Sequence, residues 1–323
     1  MFTEVMEHFG LKQPPRQAGY FETEHHRKVV QELKIAVKTR SLIAFSGIVG
    51  CGKTTVLQRV QSELEQKEDM LVSRSLAVNK ERVHIGTLMM ALFFDLATGK
   101  DFKLPTHPEK RERNLLTLIR KSGKTVILFV DEAHDLPGKT LIELKRLIEL
   151  VRNHGFPFSI VLAGHPKIKN DLHSARMEEI GARAVVITLE GLQGEQRPYI
   201  EWLLGTCKKS KTQLDDLLTS EAIDLLAERL ITPLQIEHYL NLSVEEGYRV
   251  GQKPVTPEII NSVLAKGLDD LEPRLIRYGY DAKALATLIN VRPAEIRSFL
   301  HSQLPPGRTQ EVKDQLLEAR VPL

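Results

Sequence analysis

The run Gly47-Ile48-Val49-Gly50-Cys51-Gly52-Lys53-Thr54-Thr55 constrains this chain most, because it stands between an apolar segment, Ser41–Ser46, and an amphipathic one, Thr55–Leu64. Gly47, Gly50 and Gly52 let the backbone turn tightly, so that successive N–H groups point inward at phosphate oxygens. Lys53 offers a point charge to the β- and γ-phosphates, and the Thr54 hydroxyl is a ligand for Mg²⁺. The N-terminus of the following helix adds its dipole. Such a loop needs a buried strand before it and a helix after it, which makes the chain α/β.

The second feature is an apolar strand, Val126 to Val130, ending in Asp131-Glu132-Ala133-His134. Asp131 would hold Mg²⁺ through water, and Glu132 beside it would orient and polarise the attacking water. With the phosphate loop, this predicts hydrolysis of ATP. The acid pair argues against a nucleotide kinase or a small switch GTPase. The letters D-E-A-H invite a helicase, but no paired-arginine motif or second series of strands follows. His134 is read as a packing residue at the start of the next helix.

Apolar runs at Ser41–Ser46, Leu71–Leu76, Thr125–Val130, Phe158–Ala163 and Ala184–Leu189 alternate with helical periodicity at 24–38, 85–98 and 141–153. That alternation predicts a five-stranded parallel sheet covered on both faces. Residues 1–22 and 101–113 read as irregular. From Gln196 onward strand signals vanish, giving boundaries at 1–195 for a nucleotide-binding α/β domain, 196–266 for a helical lid and 267–323 for a small all-α domain. The only cysteines, Cys51 and Cys207, exclude a disulfide framework, and no apolar run reaches membrane-spanning length. The expectation is a cytoplasmic protein that does not enter a membrane.

With these motifs placed, the chain resembles the AAA+ P-loop ATPases of the ExeA/TniB/TnsC group over roughly residues 5–266. The opening Glu7-His8-Phe9-Gly10-Leu11, with Pro14-Pro15 and then His25-His26, carries the likeness at the N-terminus. The resemblance implies that Phe21, His25 and Val29 lie against the adenine, the alternative being that they pack a helix onto the sheet. It implies that His165, in Gly164-His165-Pro166, senses the γ-phosphate. It also implies that Arg183 reaches into a neighbour's ATP site, a role Arg176 fits less well. One departure stands in the lid. Ile231-Thr232-Pro233-Leu234-Gln235 has leucine where the group's pattern supplies an arginine. Thr-Pro-Leu-Gln looks more like the transposition branch than the secretion branch.

That branch implies ATP-dependent rings or helical filaments of the chain on duplex DNA, held through phosphates, with a transposase and target-selector proteins as partners. Lys80 and Arg82 match the family region that touches DNA. From the residues alone, Lys103–Lys124 is the other candidate. Its seven cations, among them Lys103, Lys110 and Arg111, face only Glu109 and Glu112, in a chain whose net charge is just +3.

Residues 282–303 fit a helix-turn-helix. Leu285, Ala286, Ile289, Val291, Ile296 and Phe299 take buried positions, Asn290 the left-handed turn and Pro293 the first turn of the second helix. Eight cations and eight acids over 268–323 favour docking to a protein over reading DNA. The expected function is an ATP-dependent, DNA-binding regulator of transposition that oligomerises on target DNA, recruits or activates a transposase, and disassembles on hydrolysis. The rivals are a remodelling or secretion-type ATPase acting without DNA, and an ATP-gated transcriptional switch.

Overall fold

The computed structural model of the protein describes residues 2–75, 83–97, 106–173, 177, 181–264, 268 and 270–323. The chain forms two compact units. One comprises Lys28–Gly47, Lys53–Leu189 and Leu275–Leu323; the other comprises Met1–Arg27, Ile48–Gly52 and Glu190–Arg274.

The first of these is built on a five-stranded sheet of β1 (Leu42–Gly47), β2 (Met70–Arg74), β3 (Thr125–Val130), β4 (Phe158–Gly164) and β5 (Val185–Leu189), in the order β2-β3-β4-β1-β5. Every pairing is parallel. Near-continuous apolar runs suit strands buried on both faces, as β1 and β4 are throughout. The phosphate loop follows β1, which lies between β4 and β5. The chain leaves β1 for the far edge at β2, and it crosses β1 again between β4 and β5. Ligands of open α/β sheets bind at such a change of direction, outside the carboxyl ends of the strands. A single core of aliphatic and aromatic side chains, including Leu88, Leu115, Leu128, Leu144 and Ile160, ties the sheet to its helices.

Parts of two stretches expected to be irregular, 1–22 and 101–113, are helical. Pro108–Ser122 is a helix because Pro108 starts it, Glu109 lies in its first turn, Arg120 and Lys121 lie in its last, and Gly123 caps it at φ 62°. Its few apolar residues, hidden among charges, still bury Leu115 and Ile119. Phe2–Phe9 is also helical and buries the i, i+4 pair Val5 and Phe9. Gly247 makes room for the Phe9 ring, since a Cβ there would meet Cζ at 3.1 Å.

The other unit is helical and has its own core, with Phe9, Ile200, Leu203, Leu226 and Leu240 at its centre. Its long helix, Pro233–Val250, begins in a capping box. Thr232 Oγ1 accepts from the Gln235 N–H at 3.3 Å, and Gln235 Oε1 accepts from the Thr232 N–H at 3.3 Å. The Thr-Pro-Leu-Gln segment is therefore a helix start of defined geometry.

Near the C-terminus, Ala282–Leu288 and Pro293–Leu300 join through Asn290 at φ 56°. Leu285, Ala286, Ile296 and Phe299 are buried as expected, whereas Ile289 and Val291 are only half-buried. Among the described residues no helix is long and apolar enough to cross a membrane. Because Leu128 is fully buried in β3, Leu128→Ala should cost about 2–5 kcal/mol of stability, measured by denaturant unfolding.

Candidate nucleotide site

The parallel sheet brings the carboxyl ends of β1, β3 and β4 to one edge, and each ends in a residue singled out from the sequence. After β1, Gly50 (φ 79°) and Gly52 (φ 98°) take the backbone through left-handed conformations. Cys51 between them is fully buried, a small filler beneath the loop. Lys53 is 6% exposed, and its Nζ donates to the Gly47 carbonyl at 2.9 Å.

Thr54 opens the first turn of the next helix, and its hydroxyl donates to Asp131 Oδ2 at 3.1 Å. A hydroxyl facing a carboxylate is a hard oxygen donor set, which fits Mg²⁺. Asp131 Oδ1 accepts from the Glu132 N–H at 2.9 Å. Glu132 then turns the chain sharply at φ 53°, a conformation non-glycine residues rarely adopt.

His165 follows β4, and the structure sets His134 against it. Their ring centroids are 3.7 Å apart with planes at 30°. Both approach the same oxygen: Glu132 Oε2 lies 3.3 Å from His134 Nδ1 and 3.9 Å from His165 Nε2. Burial pulls the pKa of each down to about 4. For His134 the charges of Lys167 and Lys53 act in the same direction, and for His165 so do His134 and Lys53. Both rings are neutral at pH 7. One donor atom from each of Glu132, His134 and His165 lies within 4.8 Å of the others, close enough to hold a metal ion.

His134 packs, as the sequence suggested, and it does so against His165 and beside Glu132. The signal was present, since the D-E-x-H spacing puts a histidine two residues past the acid. Its partner, however, lies 31 residues away.

In the helical unit, Gly50 lies against the capped helix. The Leu234 N–H points at the Gly50 carbonyl at 3.4 Å, and a Cβ on Gly50 would fall 2.6 Å from Leu234 Cβ. The lid position beside the loop thus holds an aliphatic side chain. Phe21 packs against Tyr199 and Trp202, with ring centroids 5.5 and 5.2 Å away. His25 Nε2 accepts from the Glu190 N–H at 3.3 Å. The neighbouring His26 approaches the loop more directly. It is 4% exposed, hydrogen-bonded to the Cys51 backbone and to Thr23 Oγ1, and its pKa is lowered first by burial and then by His25. Val29, in the other unit, is 2% exposed.

Arg183 precedes β5, at the amino ends of the strands. It pairs with Glu149 at 3.2 Å and lines a cavity of 490 Å³ with Arg40, Lys145 and Arg152. Lys110 is exposed on the helix Pro108–Ser122, while Arg111 is half-buried and donates to the Thr106 carbonyl at 3.3 Å. Lys80, Arg82, Lys103 and Arg176 lie outside the described residues.

Residues 35–172 match the family described as an AAA domain. No curated protein matches the sequence. Many solved structures share the fold, among them the following three. The ORC2 protein of Aeropyrum pernix, in ADPNP–ADP complexes, is 11% identical with a TM-score of 0.53, covering 92% of this chain and 84% of that one. The RuvB Holliday junction branch migration motor of Thermotoga maritima is 19% identical with a TM-score of 0.50, covering 92% and 88%. The ORC1 protein of Aeropyrum pernix in complex with DNA is 15% identical with a TM-score of 0.50, covering 94% and 85%.

Two outcomes test this geometry. Gly50→Ala, strained by its φ and by Leu234, should weaken binding of a fluorescent ATP analogue about tenfold or more. The histidine pair makes stability depend on pH. Their folded values near 4 lie below the ordinary 6.5, so their contribution is complete above 6.5 and is lost as pH falls towards 4. Melting temperatures measured across that window should fall less steeply in a His134→Gln/His165→Gln variant.

Proposed function

From a P-loop ATPase with the AAA+ fold and an AAA domain in residues 35–172, we propose a regulator of DNA transposition that assembles on duplex target DNA with ATP and comes apart on hydrolysis. The observation that carries the proposal is where the cations lie. Leu234 stands over Gly50, so the lid brings no charge to the loop. Arg183 lies at the amino ends of the strands, whereas Asp131 and Glu132 lie at the carboxyl ends, roughly 17 Å away for five residues of strand. Arg183 therefore serves the ATP site of a neighbouring copy, where its charge stabilises the transferring phosphoryl group.

Within the site, Lys53 would bind the β- and γ-phosphates, and Glu132 would orient the water. Phe21 and His25 remain candidates for the base, and His165 for sensing the γ-phosphate. Thr54 and Asp131 would hold a Mg²⁺, which when bound would supply charge neutralisation at the phosphates.

DNA would be held through phosphates. The helix Pro108–Ser122 with Lys124 carries six cations against two acids, with Lys110 exposed on it, and Lys80, Arg82 and Lys103 extend the candidate set. The likeness to ORC1, solved with DNA, and to RuvB, a branch migration motor, is compatible with that role. The Thr-Pro-Leu-Gln lid points to the transposition branch, and thus to a transposase and target selectors as partners. The three segments 1–195, 196–266 and 267–323 would divide these tasks as nucleotide-binding domain, lid and docking module.

Electron microscopy tests the proposal. With ATP or a non-hydrolysable analogue, duplex DNA and low salt, rings or filaments should form, and their absence sinks the idea. Glu132→Gln should bind ATP yet turn it over about 100-fold more slowly or worse, and its DNA assemblies should persist. Replacing Lys110 with alanine should flatten the salt dependence of DNA binding by about one unit of slope.

A further inference from the structure

The two stacked histidines are enclosed by two glycines from distant parts of the chain. A Cβ at Gly164 would fall 3.0 Å from the His134 backbone N and 3.2 Å from its Cβ and Nδ1. A Cβ at Gly279 would fall 2.7 Å from His165 Cβ and 3.1 Å from its Nδ1, and Gly279 has φ 91°. At Gly279 something would have to shift, and the φ adds strain, whereas at Gly164 the neighbour would have to give by a few tenths of an ångström. Glycine at both places leaves room for the rings to lie 3.7 Å apart.

Gly279 belongs to the turn Tyr278-Gly279-Tyr280, which is fastened to the segment following β4. The Lys167 N–H donates to the Tyr278 carbonyl at 3.1 Å. Asn170 Nδ2 donates to Tyr280 Oη at 2.6 Å and to the Ala319 carbonyl at 2.8 Å. Tyr280 is 3% exposed, so this attachment is a packed one.

Proton placement follows from the partners. His165 Nδ1 is buried and has no hydrogen-bond partner among the described residues. Burying a bare lone pair costs less than burying an unpaired N–H, which puts that ring's proton on Nε2, facing Glu132. His134 has two choices. With its proton on Nε2 it faces Asp135 Oδ1 at 3.6 Å, and Nδ1 accepts a long contact from the His165 N–H at 3.5 Å. With its proton on Nδ1 it faces Glu132 Oε2 at 3.3 Å, the shorter contact and one to a charged oxygen. In that form two N–H groups converge on one carboxylate oxygen.

We propose that His134 is a positioning residue for Glu132, and that the C-terminal turn Tyr278-Gly279-Tyr280 seats the histidine pair, so that the C-terminal helices govern how the catalytic acid is aimed. Glu132 is 47% exposed, and its own backbone is left-handed at φ 53° just past the end of β3. The stacked rings restrain its carboxylate. A partner that shifts the C-terminal helices moves the seat, then His165, then His134, and so alters turnover without touching the phosphates.

This inference rests on Glu132 as the water-positioning acid, and the experiment separates the two. Steady-state ATPase and the affinity for a fluorescent ATP analogue are measured for wild type, His134→Ala, His134→Asn, Gly279→Ala and Tyr280→Phe, and for His134→Ala combined with Glu132→Gln. His134→Ala should lower kcat about tenfold or more, a share of the 10²–10⁴-fold due to a general base, with nucleotide affinity changed about twofold or less. Asparagine, whose amide can take the Nδ1 place, should restore much of the rate. Gly279→Ala should lower kcat in the same way. Tyr280→Phe, which loses one hydrogen bond and keeps the ring, should lower it less while retaining the wild-type melting temperature. In the Glu132→Gln background, His134→Ala should have no further effect.

If Glu132→Gln turns over like wild type, the assignment of the acid itself fails. If Glu132→Gln is inactive but His134→Ala keeps its kcat, the positioning role fails. It fails equally if asparagine does not rescue, or if the loss appears in affinity instead. Unchanged kcat in both Gly279→Ala and Tyr280→Phe removes the C-terminal seat.

Discussion

Parallel pairing of β1, β3 and β4 is the constraint on which the site depends. A parallel ladder points every strand the same way, so every carboxyl end opens onto one edge. The registers Phe45↔Ala163 and Phe129↔Val161 set the ends of these three strands nearly level. A shift of one residue would reverse the facing of every side chain in that strand, which a sheet buried on both sides resists. The Thr54–Asp131 hydrogen bond joins residues 77 positions apart and exists only because of this alignment.

The sheet and the glycine loop after β1 were legible because they rest on local signals. Continuous apolar runs mark strands buried on both faces, and a loop that cradles phosphate must spell out its glycines. The expected strands lie within two residues of the observed ones at either end. The helix Pro108–Ser122 was less legible, because its apolar face is narrow and its charges dominate the composition. Phe2–Phe9 was hidden for another reason. Eight residues make a marginal helix alone, and this one is held by burial of Val5 and Phe9 in a core drawn from residues some 190 positions later.

The histidine cluster was the least legible part. Nothing near Asp131 announces that His134 will meet His165, or that Gly279 will lie against the pair. Each contact joins strand ends or turns that are far apart in sequence, and the glycines matter for what they lack. Arg183 illustrates the same limit. Its sequence position suggested a role in a neighbour's site, but only the strand direction shows how far it lies from the acids of its own chain.

The bond from Lys53 to the Gly47 carbonyl has a consequence for selectivity. Lys53 Nζ has its own backbone carbonyl as an acceptor at 2.9 Å. Any anion offered to the loop competes with that acceptor. A weak or singly charged anion gains little by displacing a carbonyl already in place, whereas a polyphosphate brings several oxygens to the same donors at once. A loop of this kind favours ligands that make many contacts over small anions.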